Sequence, residues 1–505
     1  MGAIETAARV TDVEVDVAVV GLGLAGCAAA IEAAESGASV LVLEKMPEPL
    51  AGGNSRASGQ RVLAADEVAA LARYQHALNE PNPVPDAVVA AWAKGVGEVE
   101  DWLARIAEEA GMTCVRCPNP PEFPGFPGAE SVSRSVTILP APAGVWRAAR
   151  TAVESRGVEI RYGACAVRLV REETGEVSGV VVATPQGDRT IPARRGVVLA
   201  SGGFENAPGL LRDFGGFGRV YTLGSPANTG DGIRMLQRVG ADLWHMRNRT
   251  HSGGLWPAIK VPGFDVAFQR GTVRAGSWLE LAADGQRFHD ESVAFHLTHA
   301  KRELHGVWLD LLHASLQPVH MIFDETVRLG GPLPPAGPRP EAGPGELMGW
   351  NSVTGAYRWS DDNSAEVEAG WIESAGTLEE LAELIGREAA VVAAAVARFN
   401  AFAERGGDAD FGRDPAAMAP ILTPPFYAVE IVPGITSTTG GGRRDEQSRV
   451  LDVDGEPIEG LYEAGALGST FANLFQNGAF LAECIVSGRA AGSAAARRAV
   501  WAERT

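Results

Sequence analysis

The chain has 505 residues, 46% of them hydrophobic, with 63 acidic against 44 basic side chains and a formal net charge of −19. That length exceeds what one compact core usually holds, so two domains are expected, and the hydrophobic content is ordinary for a globular enzyme. The negative field disfavours nucleic acid and anionic membrane surfaces as partners, although a local arginine can still override it for an anionic substrate. Cys27, Cys114, Cys117, Cys165 and Cys484 are scattered and odd in number, which is not a disulfide framework. The CxxC at Cys114 and Cys117 has no second pair to complete a zinc site, so no metal is expected. Residues 1–15 carry neither a basic nor an apolar targeting segment, and no later run approaches the ~20 apolar residues of a membrane span. A soluble, cytoplasmic protein is the expectation.

Asp16-Val17-Ala18-Val19-Val20 reads as a buried strand that runs straight into Gly21-Leu22-Gly23-Leu24-Ala25-Gly26. An Ala-rich helix follows, then a second strand over 38–43, closed by Glu44. This order is that of a dinucleotide-binding βαβ unit. Gly21 permits the tight turn, Gly23 lets the backbone approach a pyrophosphate, and Gly26 lets helix and strand pack closely. The helix N-terminus at Leu24 and Ala25 faces the phosphates, and Glu44 stands where a carboxylate binds a ribose hydroxyl. After Glu44-Lys45 an NAD domain would pass directly into another helix. Here the loop Gly52-Gly53-Asn54-Ser55-Arg56-Ala57-Ser58-Gly59 offers backbone N–H groups and small hydroxyls that can follow a longer cofactor.

Strand and helix signals alternate to about residue 250, as in an open α/β sheet. Stretches 158–170 and 177–182 read as two strands of a small meander, turning at Thr174-Gly175-Glu176. From 251 to about 425 the character changes: tryptophans, histidines and prolines gather, and 330–345 is a Pro/Gly-rich loop. Thr377 and Glu380 form a capping box for a helix that ends near Gly386, and 391–402 reads as a second helix. The dinucleotide pattern returns after Pro424. The expected division is therefore a discontinuous cofactor domain, 1–250 and 426–505, with 251–425 inserted as a cap.

Several segments, spread in order over most of the chain, carry a resemblance. They are Gly52 to Gly59, Val198-Leu199-Ala200-Ser201-Gly202-Gly203-Phe204, Asn228-Thr229-Gly230-Asp231-Gly232, Gly285-Gln286-Arg287-Phe288-His289-Asp290-Glu291, Thr439-Gly440-Gly441 and Gly460-Leu461-Tyr462-Glu463-Ala464-Gly465. Together they resemble the flavoprotein family of fumarate reductases, 3-ketosteroid dehydrogenases and tricarballylate dehydrogenases. The resemblance implies a Rossmann-like, glutathione-reductase-like FAD-binding domain with an inserted α+β substrate-capping domain. It implies FAD contacts from Gly21, Gly23, Leu24, Ala25, Gly26, Glu44, Lys45, Gly53, Asn54, Ser55, Ser58, Gly59, Ala166, Ala200, Ser201, Gly202, Asn228, Asp231, Gly465, Ala479, Phe480 and Leu481. The backbone N–H groups of Phe480 and Leu481, opening the last helix, would face the flavin edge that becomes negative on reduction.

The loop after Glu44 lacks the histidine that carries covalent flavin in some members, so non-covalent FAD is expected. Ala466 replaces a glutamate that many relatives place after Ala-Gly. A flavin paired with a capping domain implies a C–C oxidoreductase, and the activated carbon must lie beside a carbonyl or carboxylate whose oxygen is stabilised. Three dicarboxylate-handling groups of true fumarate reductases are missing: no arginine occurs between Ser292 and Lys301, Ile435-Thr436-Ser437-Thr438 has no histidine, and 471–476 has no arginine. The dehydrogenase branches, acting on larger or less charged carbonyl compounds with an external electron acceptor, are the closer match. Pro424-Pro425-Phe426-Tyr427-Ala428 resembles the segment that supplies a steroid-dehydrogenase tyrosine; Tyr427 either holds a carbonyl oxygen or packs at a hinge. His251 and His296 are acid/base candidates, with His299 on the same face as His296 if that stretch is helical. Arg56, Thr439 and Gly440 are substrate-side candidates, and Arg287 and Glu291 form either a proton path or a structural pair. The alternatives are a reductase of an activated alkene supplied by an outside donor, and a flavin-binding sensor without turnover.

Overall fold

The computed structural model describes residues 14–215, 220–250, 256–292, 301–304, 307–310, 316–334 and 349–500. His251, His296 and His299 lie outside them. The opening strand is Val15–Val20, its helix Leu24–Glu35, and the second strand Val40–Glu44. These anchor an eight-stranded sheet in the order Arg449–Leu451, Pro457–Glu463, Arg189–Leu199, Val15–Val20, Val40–Glu44, Glu159–Tyr162, parallel from the second strand to the last. Both faces are covered at the centre of the sheet, which is why Val15–Val20 and Val40–Glu44 are buried along their whole length. Val17 and Val19 face one core with the first and last helices, while Ala18 and Val20 face the other, with Leu236 and Leu461.

The first helix packs along the last one, Ala479–Arg497. A Cβ on Gly492 would come within 2.2 Å of the Ala29 carbonyl oxygen. The contact therefore depends on backbone touching backbone.

The stretch 158–170, expected as one strand, is two. Gly163 (φ +67°) breaks it, so that Glu159–Tyr162 joins the main sheet while Cys165–Arg171 pairs with Val177–Ala183. The meander closes on the long strand Arg189–Leu199, which then continues into the main sheet. Cys114 and Cys117 lie three apart on the strand Thr113–Pro118, so they point to opposite faces.

A second, seven-stranded sheet runs Phe268–Gln269, Trp256–Ile259, Phe426–Ile435, Val319–Asp324, Trp278–Leu281, with Tyr221–Thr222 and Glu373–Ala375 also paired to its central strand. The expected boundary at 426 therefore falls in the wrong place. Phe426–Ile435 is the middle of this sheet, and Tyr221–Thr222 joins it from the opposite side of the boundary at 250. One face of the sheet carries Phe268, Phe323 and Tyr427; the other carries Ile322 and Ala428 against the helices Leu378–Leu384 and Ala389–Arg405. Thr377 and Glu380 close the capping box as expected.

Candidate functional site

The C-terminal ends of the parallel strands open into a long cleft holding about 1730 Å³ of empty space, its mouth included. Gly21 sits at φ +105°, and a side chain there would strike the Ala200 carbonyl; a Cβ on Gly26 would lie 1.9 Å from the Gly21 oxygen. Gly23 differs: its missing Cβ would meet no atom nearer than 3.5 Å, so it borders open cleft. The Leu24 N–H donates to Ser55 Oγ (2.9 Å), tying the glycine turn to the following loop. Glu44 is buried, and its carboxylate accepts from the N–H groups of Leu22 (3.0 Å) and Met46 (2.8 Å). Desolvation pushes its acidity constant above the usual carboxylate value despite these donors.

Farther along, four segments meet at Glu205. Its buried carboxylate accepts from Asn54 Nδ2 (2.7 Å), Asn228 Nδ2 (2.5 Å) and the Thr438 N–H (3.4 Å). Burial raises it to about 7, because amides replace water without supplying a positive charge. Asn54 is fully used: its second N–H donates to the Thr436 carbonyl (2.6 Å), and its oxygen accepts from Ser225 N–H (2.7 Å). Lys45 pairs with Asp231 (2.7 Å) and donates to Thr229 (2.8 Å). Gln269 of the second sheet and the segment Thr436-Ser437, which follows that sheet's central strand, also line the cleft. Phe475 and Phe480, rings 5.9 Å apart, line the same cleft where the last helix begins at Ala479.

Of the cofactor residues expected from sequence, all line this cleft except Gly26, Gly465 and Ala479. Those three sit behind it: Gly26 under the glycine turn, Gly465 with its N–H on Ser487 Oγ (2.9 Å), and Ala479 fully buried. Asn54 lines the cleft but spends its side chain on the Glu205 junction rather than on a ligand.

The substrate-side expectations fare differently. Tyr427 is buried in the second sheet's core, stacked on Phe323 (5.4 Å), and donates its hydroxyl to Glu325 (2.7 Å). It is not a cleft residue, because its strand face is turned into the core. Arg56 turns outward onto Trp146 (5.7 Å) and donates to the Pro49 and Ala51 carbonyls. Thr439 and Gly440 pack against Met246 to Asn248 and Ser469, while Thr436 and Ser437 hold the cleft position instead. Arg287 bridges Glu291 (2.7 Å) and Asp408 (2.9 Å), all three side chains buried. Sequence reading missed Glu205, Gln60 and Gln269. Glu205 was detectable as a lone acid directly after an apolar Gly-Gly-Phe turn; the other two carry no motif.

The residues present fit FAD. The cleft is elongated from Glu44 to Phe480, Gly23 leaves it unobstructed, and Ser201 carries a buried hydroxyl that finds no partner among the described residues. A nucleotide cradle at the carboxyl ends of a parallel sheet, faced by a second sheet, defines an FAD-dependent oxidoreductase. The chain belongs to the FAD binding domain family, whose model matches residues 16–479. It is 29% identical to digoxin reductase of Eggerthella lenta, over 97% of this chain and 88% of that protein. It is 28% identical to 4-oxocyclohexanecarboxylate 2-dehydrogenase of Sinomonas cyclohexanicum, over 94% and 93%. It shares its fold with 3-ketosteroid delta1-dehydrogenase of Sterolibacterium denitrificans, solved with 1,4-androstadiene-3,17-dione, at a TM-score of 0.76 and 23% identity over 96% of this chain and 99% of that one. No helix among the described residues is long and apolar enough to cross a membrane.

Proposed function

We propose that the protein is a dehydrogenase that desaturates a C–C bond next to a carbonyl in a neutral or weakly charged substrate, with FAD held non-covalently. The observation that carries this reading is the wall facing the cofactor cradle. Gln269, Thr436 and Ser437 are uncharged, and the phenyl rings of Phe475 and Phe480 continue the lining. Such a wall solvates a ketone oxygen and an apolar ring; Arg61 is the single arginine among the described lining residues, too few to neutralise two carboxylates.

FAD, when bound, supplies a two-electron acceptor for the hydrogen leaving the carbon β to the carbonyl. The chain does the rest. The turn at Gly21 and Gly23, with the helix behind it, holds the pyrophosphate, and Glu44 takes the ribose hydroxyls. Polar groups on the second sheet bind the carbonyl oxygen and stabilise it as it gains enolate character. The proton from the α-carbon goes to a side-chain base, for which His251 and His296 are the proposed candidates on sequence grounds.

A second reading, reduction of an activated alkene, is favoured by the likeness to a digoxin reductase. The same residues serve either direction by reversibility, and only the external redox partner differs. Anaerobic mixing separates the two. Oxidised enzyme bleached by a saturated cyclic ketone indicates the dehydrogenase; dithionite-reduced enzyme recoloured only by the enone indicates the reductase. Heat denaturation tests the cofactor linkage: yellow flavin should stay in the supernatant, and flavin sedimenting with the protein would refute the non-covalent reading.

A further inference from the structure

We propose that Gln269 is a substrate-binding residue whose side-chain amide donates to the carbonyl oxygen of a neutral ketone. The proposal rests on the reading of the cleft as a carbonyl-desaturating site and names the group that holds the oxygen.

The placement follows from strand geometry. Phe268–Gln269 pairs antiparallel with Trp256–Ile259, with Gln269 opposite Ala258 and Phe268 opposite Ile259. Side chains alternate along a strand. Phe268 is buried in the second sheet's core against Phe264 (5.2 Å) and Trp359 (5.4 Å). Arg270 returns to a buried position, its guanidinium 4.8 Å from the centre of the Trp278 ring. Gln269, between them, is turned the other way and lines the cofactor cleft.

Its amide is also uncommitted. Four buried or half-buried side-chain amides line the cleft: Asn54, Gln60, Asn228 and Gln269. Asn54 and Asn228 are spent on Glu205. Gln60 donates to the Ser55 carbonyl (2.6 Å) and accepts from Val145 N–H (3.1 Å). The Gln269 amide makes no hydrogen bond to any described residue. A half-buried amide held on a sheet, lining a cleft with neither N–H bonded to a described residue, is set to receive an acceptor.

The chemistry of the donor selects the substrate. A primary amide donates to a ketone oxygen without bringing a charge that would need a counterion, and it strengthens as that oxygen becomes an enolate. It does not neutralise a carboxylate as a guanidinium would. Gln269 therefore favours neutral ketones over dicarboxylates.

The test uses the FAD-loaded enzyme with cyclohexanone as the reductant and p-chlorophenol, whose phenolate mimics an enolate, as the binding probe read from the flavin spectrum. Gln269→Leu removes the donors; Gln269→Met keeps the side chain's length, adds no charge and also removes them. Both variants should keep the parent's FAD content and visible spectrum. Both should bind p-chlorophenol at least tenfold more weakly and bleach with cyclohexanone roughly 10²-fold more slowly, as expected for loss of one oxyanion donor. Variants that bind and bleach like an active parent overturn the assignment. A Gln269→Met variant that matches the parent while Gln269→Leu fails also overturns it, because shape rather than donation would then matter. If the parent's own flavin responds to neither probe but does respond to succinate, the carbonyl reading of the cleft fails, and the role of Gln269 falls with it.

Discussion

Two buried groups show how single residues set this molecule's behaviour. Glu205 is raised from 4.5 to about 7 by burial. Below pH 4.5 its carboxyl is protonated both folded and unfolded, and it costs nothing. Between 4.5 and 7 the unfolded carboxyl ionises while the buried one keeps its proton, so stability falls as pH rises; above 7 the loss is complete. Urea unfolding of Glu205→Gln between pH 5 and 8 should lack this fall, a difference on the order of 3 kcal/mol across the window. Parallel pH profiles for parent and variant would show that Glu205 does not titrate there. Tyr427 is the opposite case: its hydroxyl serves Glu325 in the second sheet's core, and Glu325 in turn pairs with Arg328 (2.6 Å). Tyr427→Phe should lower stability by about 1 kcal/mol, the net worth of one such bond, and leave the rate of flavin reduction unchanged. A variant slowed a hundredfold with unaltered stability would return Tyr427 to the chemistry. The sequence motif singled out this tyrosine but not the strand it stands on or the face it presents. Phe426 and Ala428 pack on one side of that strand and Tyr427 on the other, both inside cores, so neither side of this part of the strand reaches the cleft.

At the scale of elements, local patterns were legible and pairings between distant segments were not. The glycine turn, the acid closing the second strand and the capping box at Thr377 each depend on residues within a few positions of one another, and each formed where its pattern stands. The central strand of the second sheet was expected in the cofactor segment, because its partners lie roughly 50 to 210 residues away and an apolar run does not name its neighbours. The same holds for Gln269, which reaches the cleft only because Phe268–Gln269 docks on Trp256–Ile259 and that strand on Phe426–Ile435. Packing of the first helix on the last makes an independent prediction. Gly492→Val would force the helices apart at the Ala29 carbonyl, costing roughly 1–3 kcal/mol by overpacking. Because the first helix also presents its N-terminus to the cofactor cleft, thermal stability and FAD content should fall together in this variant. A Gly492→Val protein that melts like the parent would mean the helices are not in backbone contact.

For the whole molecule, the candidate site draws residues from both sheets. The eight-stranded sheet brings Gly21, Gly23 and Glu44 to the ends of its parallel strands, and the second sheet brings Gln269, with Thr436 and Ser437 following its central strand. Neither sheet alone supplies both the cofactor cradle and the proposed wall for the substrate oxygen. The Glu205 junction fastens the loop carrying Asn54, the turn carrying Asn228 and the exit from the second sheet at Thr438, so the two halves of the site are held in register by one carboxylate. The uncharged side chains of Gln269, Thr436 and Ser437 support the proposed reaction, oxidation of a carbon–carbon bond activated by a neutral carbonyl. The most direct measurement is an anaerobic single-turnover reaction of the FAD-loaded enzyme with a saturated cyclic ketone, and separately with succinate, following flavin absorbance and the mass of the organic product. The account predicts that the ketone bleaches the flavin and is recovered two hydrogen atoms lighter, one molecule per FAD, while succinate leaves the spectrum unchanged. Bleaching by succinate with none by any ketone would contradict it.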